Sequence, residues 1–550
     1  MAFEWLNDGS RQFLGRGYLL PDQTPEERIR IIADTAEKHL GFEGYADKFY
    51  DYMGRGFYSL ASPVWSNYGT KRGLPVSCFG SFIDDDMESI LYGHAENGML
   101  MKSGGGTSGF FGALRGRGEP ITNNGESSGA VHFMEMFDKL AQTVSQGNVR
   151  RGFFSPYLPI DHPDAEEFLE IATEGHPIQG LTTGITVSDA FLERVVDGDV
   201  HARSVWAKVL QTRSEIGFPY ILFSDNVNNN KPDVYKDLKM EIHASNMCSE
   251  IALPSSSDET FTCVLSSINL AKWDEIEGTD AIETLVYFLD TVVTEFINKT
   301  EGKPYFARAH KFAVRHRALG AGVLGWHSYL QSNMWSFESV EAAKSNLHIA
   351  KTFKERTYAA SAHLAEVFGE PELLKGYGRR NTTLMAIAPT KSSSFILGQV
   401  SQSIEPEFSN CYVKDLAKIK TTIKNPYLKA LLQEKGIDTP EVWDEIRNND
   451  GSVQKLSVLT DEEKEVFKTF SEINPDVIID QASVRQAYID QAQSINLMLD
   501  PDTPVKEINA LYLRAWRLGI KSLYYSFSMS AAQSLTRKQV MSEGCAACEA

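Results

Sequence analysis

Apolar and polar positions change their spacing several times along the chain. Residues 24–53, TPEERIRIIADTAEKHLGFEGYADKFYDYM, place apolar side chains at helical intervals. Thr24 can cap this segment, Pro25 occupies a first helical position, and Glu26 and Glu27 load the first turn, so a helix is predicted over 24–53. Glycine- and serine-rich segments then alternate with short apolar runs: LASPVWSNYG, SCFGSFIDD, KSGGGTSGFFGALRGRGEP and SQGNVRRGFF. From residue 284 onward helical patterns dominate, as in TLVYFLDTVVTEFI and SVEAAKSNLHIAKTFKERTYAASAHLAEVFG. Residues 428–475 read as a polar helical stretch packed on the outside. After Tyr525 the chain turns small and polar, SFSMSAAQSLTRKQVMSEG, the composition of a flexible tail. Short apolar runs alternating with helices predict an α/β architecture.

Composition narrows the function classes. With 550 residues, 42% of them hydrophobic, the chain can bury several domains or one large barrel. A net charge of −19 argues against a nucleic-acid polymer as partner. The start, MAFEWLNDGSRQ, has neither the basic nor the apolar region of a secretory signal. No apolar run approaches the roughly 18 residues of a membrane span, so a cytoplasmic protein without a membrane partner is expected. The six cysteines are too sparse for a disulfide framework, which points to catalytic or metal use for any that cluster.

Cys545 and Cys548 form a C-x-x-C close to the end of the sequence. A structural zinc needs four ligands, and no second Cys or His pair stands nearby. A dithiol cycling to a disulfide suits this spacing better; an incidental pair in a loose tail is the alternative. KSGGGTSG contains Gly104, Gly106 and Gly109 as a formal G-x-G-x-x-G, but the preceding GHAENGMLMK reads as helix. A dinucleotide fingerprint should follow a strand, so a tight backbone approach is the better reading.

HASNMCSEIALP is more informative. If it is extended, Asn246, Cys248 and Glu250 project from one face, a polar cluster that a core strand would not tolerate without partners. Cys263 lies in TFTCVLSSINL, a period-2 pattern after the turn-like SSSDE; a strand–turn–strand could bring it near Cys248 or leave it elsewhere. In TLMAIAPTKSSSFILG an apolar strand from Leu384 to Ala388 leads through a proline into a helix. Free N–H groups there, with the Thr390, Ser392 and Ser393 hydroxyls and Lys391, make an anion site or an ordinary serine-capped helix. KSLYYSF sets Tyr524 beside Tyr525. Cys411, in EFSNCYVK, is assigned to packing.

SNMCSEI, the single cysteines, APTKSSS, LYY and the terminal C-x-x-C occur in one order, and from RGYLL at 16–20 onward the chain resembles the catalytic (large) subunit of class I ribonucleotide reductases. That resemblance implies a ten-stranded α/β barrel with a central finger loop. An N-terminal helical region (1–55) precedes the barrel (56–530), which carries a peripheral helical segment near 425–480, and a redox tail (531–550) follows. It implies radical-based reduction of ribonucleoside diphosphates, with Cys248 as thiyl, Glu250 taking the 3′-hydroxyl proton and Asn246 orienting hydroxyls. Cys78 and Cys263 become the local dithiol, and Cys545 and Cys548 the tail dithiol re-reduced by thioredoxin or glutaredoxin. Ser62, Ser77, Gly106 and the loop Thr390, Lys391, Ser392, Ser393, Ser394 match substrate-binding positions. Asp85, Arg115, Gln146 and Arg150 match a specificity site for a deoxynucleoside triphosphate or ATP effector with Mg2+.

The resemblance further implies that Tyr524 and Tyr525 receive a radical from a metallocofactor in a separate small (beta) subunit. No metal site and no covalently bound cofactor are expected in this chain, in which no E-x-x-H occurs. A homodimer is left open, and no N-terminal activity cone is expected ahead of RGYLL. Two rivals stand beside this reading: an adenosylcobalamin-dependent reductase on the same barrel, and a non-radical thiol–disulfide relay protein with a nucleotide site.

Overall fold

A computed structural model describes residues 3–147, 150–416 and 419–528; Cys545 and Cys548 lie outside them. The segment predicted as one helix is two, Pro25–Leu40 and Tyr45–Gly54. Thr24 and Glu27 form a reciprocal capping box at the start. Gly41, left-handed at φ 67°, ends the first helix, and the second packs back along it. Both helices share one hydrophobic core with the strands, Phe49 stacking on Tyr58 and Phe288.

Nine strands hydrogen-bond into one mixed sheet. In chain order they are β1 (Tyr58–Leu60), β2 (Cys78–Phe82), β3 (Gly106–Phe110), β4 (Phe154–Pro159), β5 (Gly184–Val187), β6 (Tyr220–Phe223), β7 (Phe261–Asn269), β8 (Leu319–Leu324) and β9 (Ser522–Leu523). Strands β2 to β6 run parallel to one another, each beside the next. Strand β7 joins this set antiparallel at β2 and continues parallel into β8. Beyond β8, segments 384–388 and 491–497 attach by single parallel bridges, Ala321 to Met385 and Ile387 to Gln493. Tyr524 then donates its N–H to Ile495 O at 2.8 Å, and β9 pairs antiparallel with β6. All strands but β1, together with the two bridged segments, therefore close a ring of ten. The apolar run Leu384–Ala388 is one of these barrel walls, though it forms bridges instead of a continuous ladder.

The glycine-rich KSGGGTSG follows the helix Met87–Lys102 and enters β3, an order opposite to that of a dinucleotide-binding turn. Residues 428–475 fold as short helices, Pro426–Glu434, Pro440–Asn448 and Asp461–Val466, around a small core of their own. Cys411 is buried in that core. Among the described residues no helix is long and apolar enough to cross a membrane.

Candidate active site

The connection from β6 to β7 carries HASNMCSEIALP into the ring. The expected extended face is not formed. Residues 247–249 make a turn, with Ser249 in the left-handed region at φ 63°. Barrel walls on several sides satisfy the backbone that an extended ladder would have paired. Tyr157 Oη donates to Asn246 O at 2.8 Å, Ser522 Oγ to Ser249 O at 2.7 Å, and Ala492 N to Glu250 O at 2.9 Å. Gly106 on β3 lets this finger approach, since a Cβ there would sit 2.5 Å from Met247 Sδ. The turn still gathers the polar side chains. Asn246 Nδ2 donates to Glu250 Oε1 at 3.0 Å and reaches Cys78 Sγ at 3.4 Å.

Register supplies the second element. Cys78 on β2 stands directly opposite Cys263 on β7 in the antiparallel ladder. Such pairs hold their Cα atoms about 4.5–5.5 Å apart, inside the range a disulfide accepts. Both thiols are free and buried. Ser77 Oγ lies 3.5 Å from Cys78 Sγ, and Gln491 Nε2 donates to Cys263 Sγ at 3.4 Å.

Electrostatics keep this chamber protonated. Burial, then the nearby Glu250 carboxylate, raises the Cys248 thiol well above its ordinary range. The same causes push Cys78 up to about 12, and burial raises Cys263 strongly. All three therefore sit at neutral pH as S–H groups, able to give up a hydrogen atom or a proton. Burial also pushes Glu250 up to about 7, against the hydrogen bonds from Asn246 and Ser494 that favour its charged form. A carboxyl poised there can take or return a proton near neutral pH.

Cys248 packs in one buried cluster with Tyr524, Tyr220 and Met247, and Tyr524 is fully buried. The Tyr524 and Tyr525 rings lie 4.4 Å apart, centroid to centroid, and Tyr525 stacks on Phe527 at 5.6 Å. Tyr525 is half-buried. The phenols thus form a continuous line from the finger tip outward. Lys391 Nζ stands 5.5 Å from the Tyr525 ring, which brings the loop 390–394 against the tyrosine pair.

The loop 390–394 opens a helix of six residues, Lys391–Ile396. Its expected side-chain cap is absent. Thr390 is left-handed at φ 49°, and its hydroxyl instead accepts from Ser403 N at 2.7 Å. The first N–H groups of a helix lack intrahelical acceptors, so the backbone and not Thr390 offers the donors there. Ser393 Oγ donates to Leu60 O at 3.5 Å, and Ser59 Oγ to Ser393 O at 2.7 Å. Those bonds bring the loop against β1 and so beside Ser62, whose buried hydroxyl has no protein partner. Ser392 and Ser394 are buried in the same turn.

The four effector candidates fall into two pairs. Arg115 holds one oxygen of Asp85, Oδ2, with both Nε and Nη2 at 2.8 Å, while its backbone N lies 3.1 Å from Oδ1. Gln146 and Arg150 are cross-strand partners in a short hairpin. Sequence reasoning missed Gln491, Ser494 and Tyr220. Ser494 Oγ donates to Cys248 O and lies 3.1 Å from Glu250 Oε2; Tyr220 packs 4.6 Å from Tyr524 and 5.1 Å from Tyr525. The polar run DQAQSIN, unusual for a barrel wall, was the available signal for the first two.

Comparison with known proteins places the chain and its fold. Residues 76–200, 196–373 and 371–526 match the family described as ribonucleotide reductase, barrel domain, and residues 4–73 the one described as ribonucleotide reductase, all-alpha domain. The chain belongs to the ribonucleotide reductase large-subunit family. Among individual relatives it is similar to the putative ribonucleoside-diphosphate reductase large subunit of Frog virus 3 (isolate Goorha), 35% identical over 90% of each chain. The ribonucleoside-diphosphate reductase large subunit of Invertebrate iridescent virus 3 is 31% identical over 94% of this chain and 92% of that one. Among solved structures, the class Id ribonucleotide reductase alpha subunit of Actinobacillus ureae is 56% identical, with a TM-score of 0.92 over 96% of this chain and 98% of that one.

Proposed function

We propose that this chain is the catalytic subunit of a class I ribonucleoside-diphosphate reductase. The observation that carries the reading is the direct register of Cys78 against Cys263 beside a finger holding Cys248, Asn246 and Glu250. In this scheme a Cys248 thiyl takes the 3′ hydrogen atom of the substrate ribose. Glu250 accepts the 3′-hydroxyl proton while Asn246 holds the hydroxyls, and Cys78 protonates the departing 2′-hydroxyl. Cys78 and Cys263 then join as a disulfide, supplying the two electrons that replace C–O by C–H, and Cys248 returns the hydrogen atom to C3′. The balance is one ribonucleotide and two thiols to one deoxyribonucleotide, one disulfide and one water. Ser62, Ser77, Gly106 and residues 390–394 bind the substrate, its diphosphate at the N–H groups of that loop.

The disulfide formed at Cys78 and Cys263 is enclosed, so re-reduction calls for a carrier. Cys545 and Cys548 fill that role, exchanging with thioredoxin or glutaredoxin. About 20 residues separate Tyr525 from Cys545, a reach of roughly 65 Å when extended. The radical comes from a metallocofactor in a small subunit and enters through Tyr525 and Tyr524. Asp85, Arg115, Gln146 and Arg150 serve a deoxynucleoside triphosphate or ATP effector with Mg2+. The working division is a helical region to about residue 55, the barrel, and a redox tail from about 531, in a cytoplasmic enzyme whose buried cysteines stay reduced.

CDP reduction by the purified chain, assayed alone, with adenosylcobalamin, and with a metal-loaded small subunit, tests this. Turnover is expected only in the third case. Turnover with adenosylcobalamin alone would move the chain to the rival radical class, and none in any arm would favour the thiol relay.

A further inference from the structure

The barrel wall at 384–388 has two faces, as an extended segment must. A Cβ at Gly320 on β8 would lie 3.1 Å from Cys263 Sγ and 3.2 Å from Ala386 Cβ, so these positions face the inside of the ring. Their neighbours Ala321, Met385 and Ile387 face outward, toward the helices Val340–Phe368 and Pro475–Gln486. There they line a cavity of about 30 Å³, room for one or two atoms the size of a water. Its walls are apolar except for Asn346 and Arg485, one from each helix.

Arg485 is only 6% exposed. Its Nε donates to Gln493 Oε1 at 3.0 Å and its Nη1 to Asn346 Oδ1 at 2.7 Å. Both acceptors are neutral amides, whose own N–H groups go to Ala482 O, Gln486 Oε1 and Gln481 O. The third nitrogen, Nη2, has no acceptor among the described residues. Burial lowers the Arg485 guanidinium to about 9 and no carboxylate offsets that effect, so the group remains a cation at neutral pH. Asp490, five residues on, is turned instead onto the N–H groups of Leu384 and Met385. Other buried arginines are treated differently: Arg317 is matched by Asp290 and Arg379 by Asp233.

A charge taken out of water without a counter-charge is among the costliest things an interior can hold. A water in the cavity would accept a hydrogen bond from Nη2 but leave the charge unbalanced. A small anion does both. Sulfate and phosphate are too large for this space, and apolar walls cannot replace their hydration. We propose that the cavity behind 384–388 is a binding site for a small monovalent anion of the halide class, held by Arg485 Nη2 and balancing its charge. Ala350 is the one lining residue that is not fully buried, which marks the side of entry. The ion braces the outer side of the wall, whatever reaction the inner side performs.

Thermal midpoints of the purified full chain test this, with sodium chloride or bromide replacing sodium gluconate at constant ionic strength. Either halide should raise the midpoint saturably, by about 1–2 °C at tenfold over its dissociation constant. Arg485→Gln keeps a polar side chain without the charge and should melt at the same temperature in all three salts. Crystals soaked in bromide should show anomalous density at hydrogen-bonding distance from Nη2. A wild-type midpoint indifferent to halide overturns the proposal, as does an equal response in Arg485→Gln. Bromide density with no effect on the midpoint means binding at crystal concentration only and overturns it too. If Arg485→Gln does not fold, the crystal decides, and a water in place of bromide at Nη2 overturns the site.

Discussion

Replacing Glu250 by glutamine removes a titrating group while keeping its shape and an acceptor for Asn246. Burial raises this carboxyl from an ordinary 4.5 to about 7, which corresponds to roughly 3 kcal/mol at about 1.4 kcal/mol per pH unit. The sign follows from proton linkage. Between those two pH values the folded chain holds a proton that the unfolded chain has released. The stabilisation is fully present below about 4.5 and is lost as pH rises through about 7. Glutamine has no such proton to lose, so Glu250→Gln should gain up to about 3 kcal/mol relative to wild type between pH 5 and pH 8. Glu96 and Glu405 are also pushed up to about 7 by burial, but they are present in both proteins and cancel. Thermal midpoints of both proteins across this range provide the assay, and the gap between them should open by a few degrees with rising pH. The same variant should lose about 10²- to 10⁴-fold in turnover, the usual weight of a general base. A gap that stays constant from pH 5 to pH 8, or turnover at the wild-type rate, would refute the reasoning.

Cys248→Ser should bind substrate and effector normally yet form no dCDP, because a hydroxyl O–H bond is too strong to take part in the hydrogen exchange of a thiol; measurable product from a clean preparation would sink the scheme. Cys545→Ser with Cys548→Ser should stop multiple turnover with thioredoxin, while pre-reduced enzyme still makes about one product per site in a rapid-quench experiment. Tyr524→Phe and Tyr525→Phe should each abolish turnover while leaving small-subunit affinity intact in a pull-down titration, since only a phenol O–H is lost. Retained activity in either tyrosine variant would mean that the radical enters by another route.

Much of the local chemistry was legible from residue order. Thr24 caps its helix as read, and the structure adds the reciprocal bond from Glu27, three residues on. The apolar run Leu384–Ala388 became a barrel wall, and the helix before KSGGGTSG excluded a dinucleotide turn. Other local readings failed where distant partners intervened. The finger bends at Ser249 because Tyr157, Ser494 and Ser522 satisfy its carbonyls, so an extended ladder has no advantage. The serine-capped alternative at 390–394 is not formed: the N-cap residue is Thr390, and its hydroxyl is held by Ser403 N.

By itself the sequence determined which chemical groups this protein owns: thiols in a set order, an amide and a carboxyl flanking one of them, adjacent phenols, and the caps and periodicities that make its helices and strands. Those properties are short-range, written within a few residues by backbone geometry and side-chain type. Only the tertiary structure decided which groups meet. The ladder of β2 and β7 sets Cys78 opposite Cys263, β1 holds Ser393 through Ser59 and Leu60, and Gln146 reaches Asn67 from 79 positions away. Such contacts depend on strand order and register, and a shift of one residue turns every side chain to the other face. The pKa shifts belong to the tertiary structure for the same reason, because burial inside a closed barrel is a property of the whole ring.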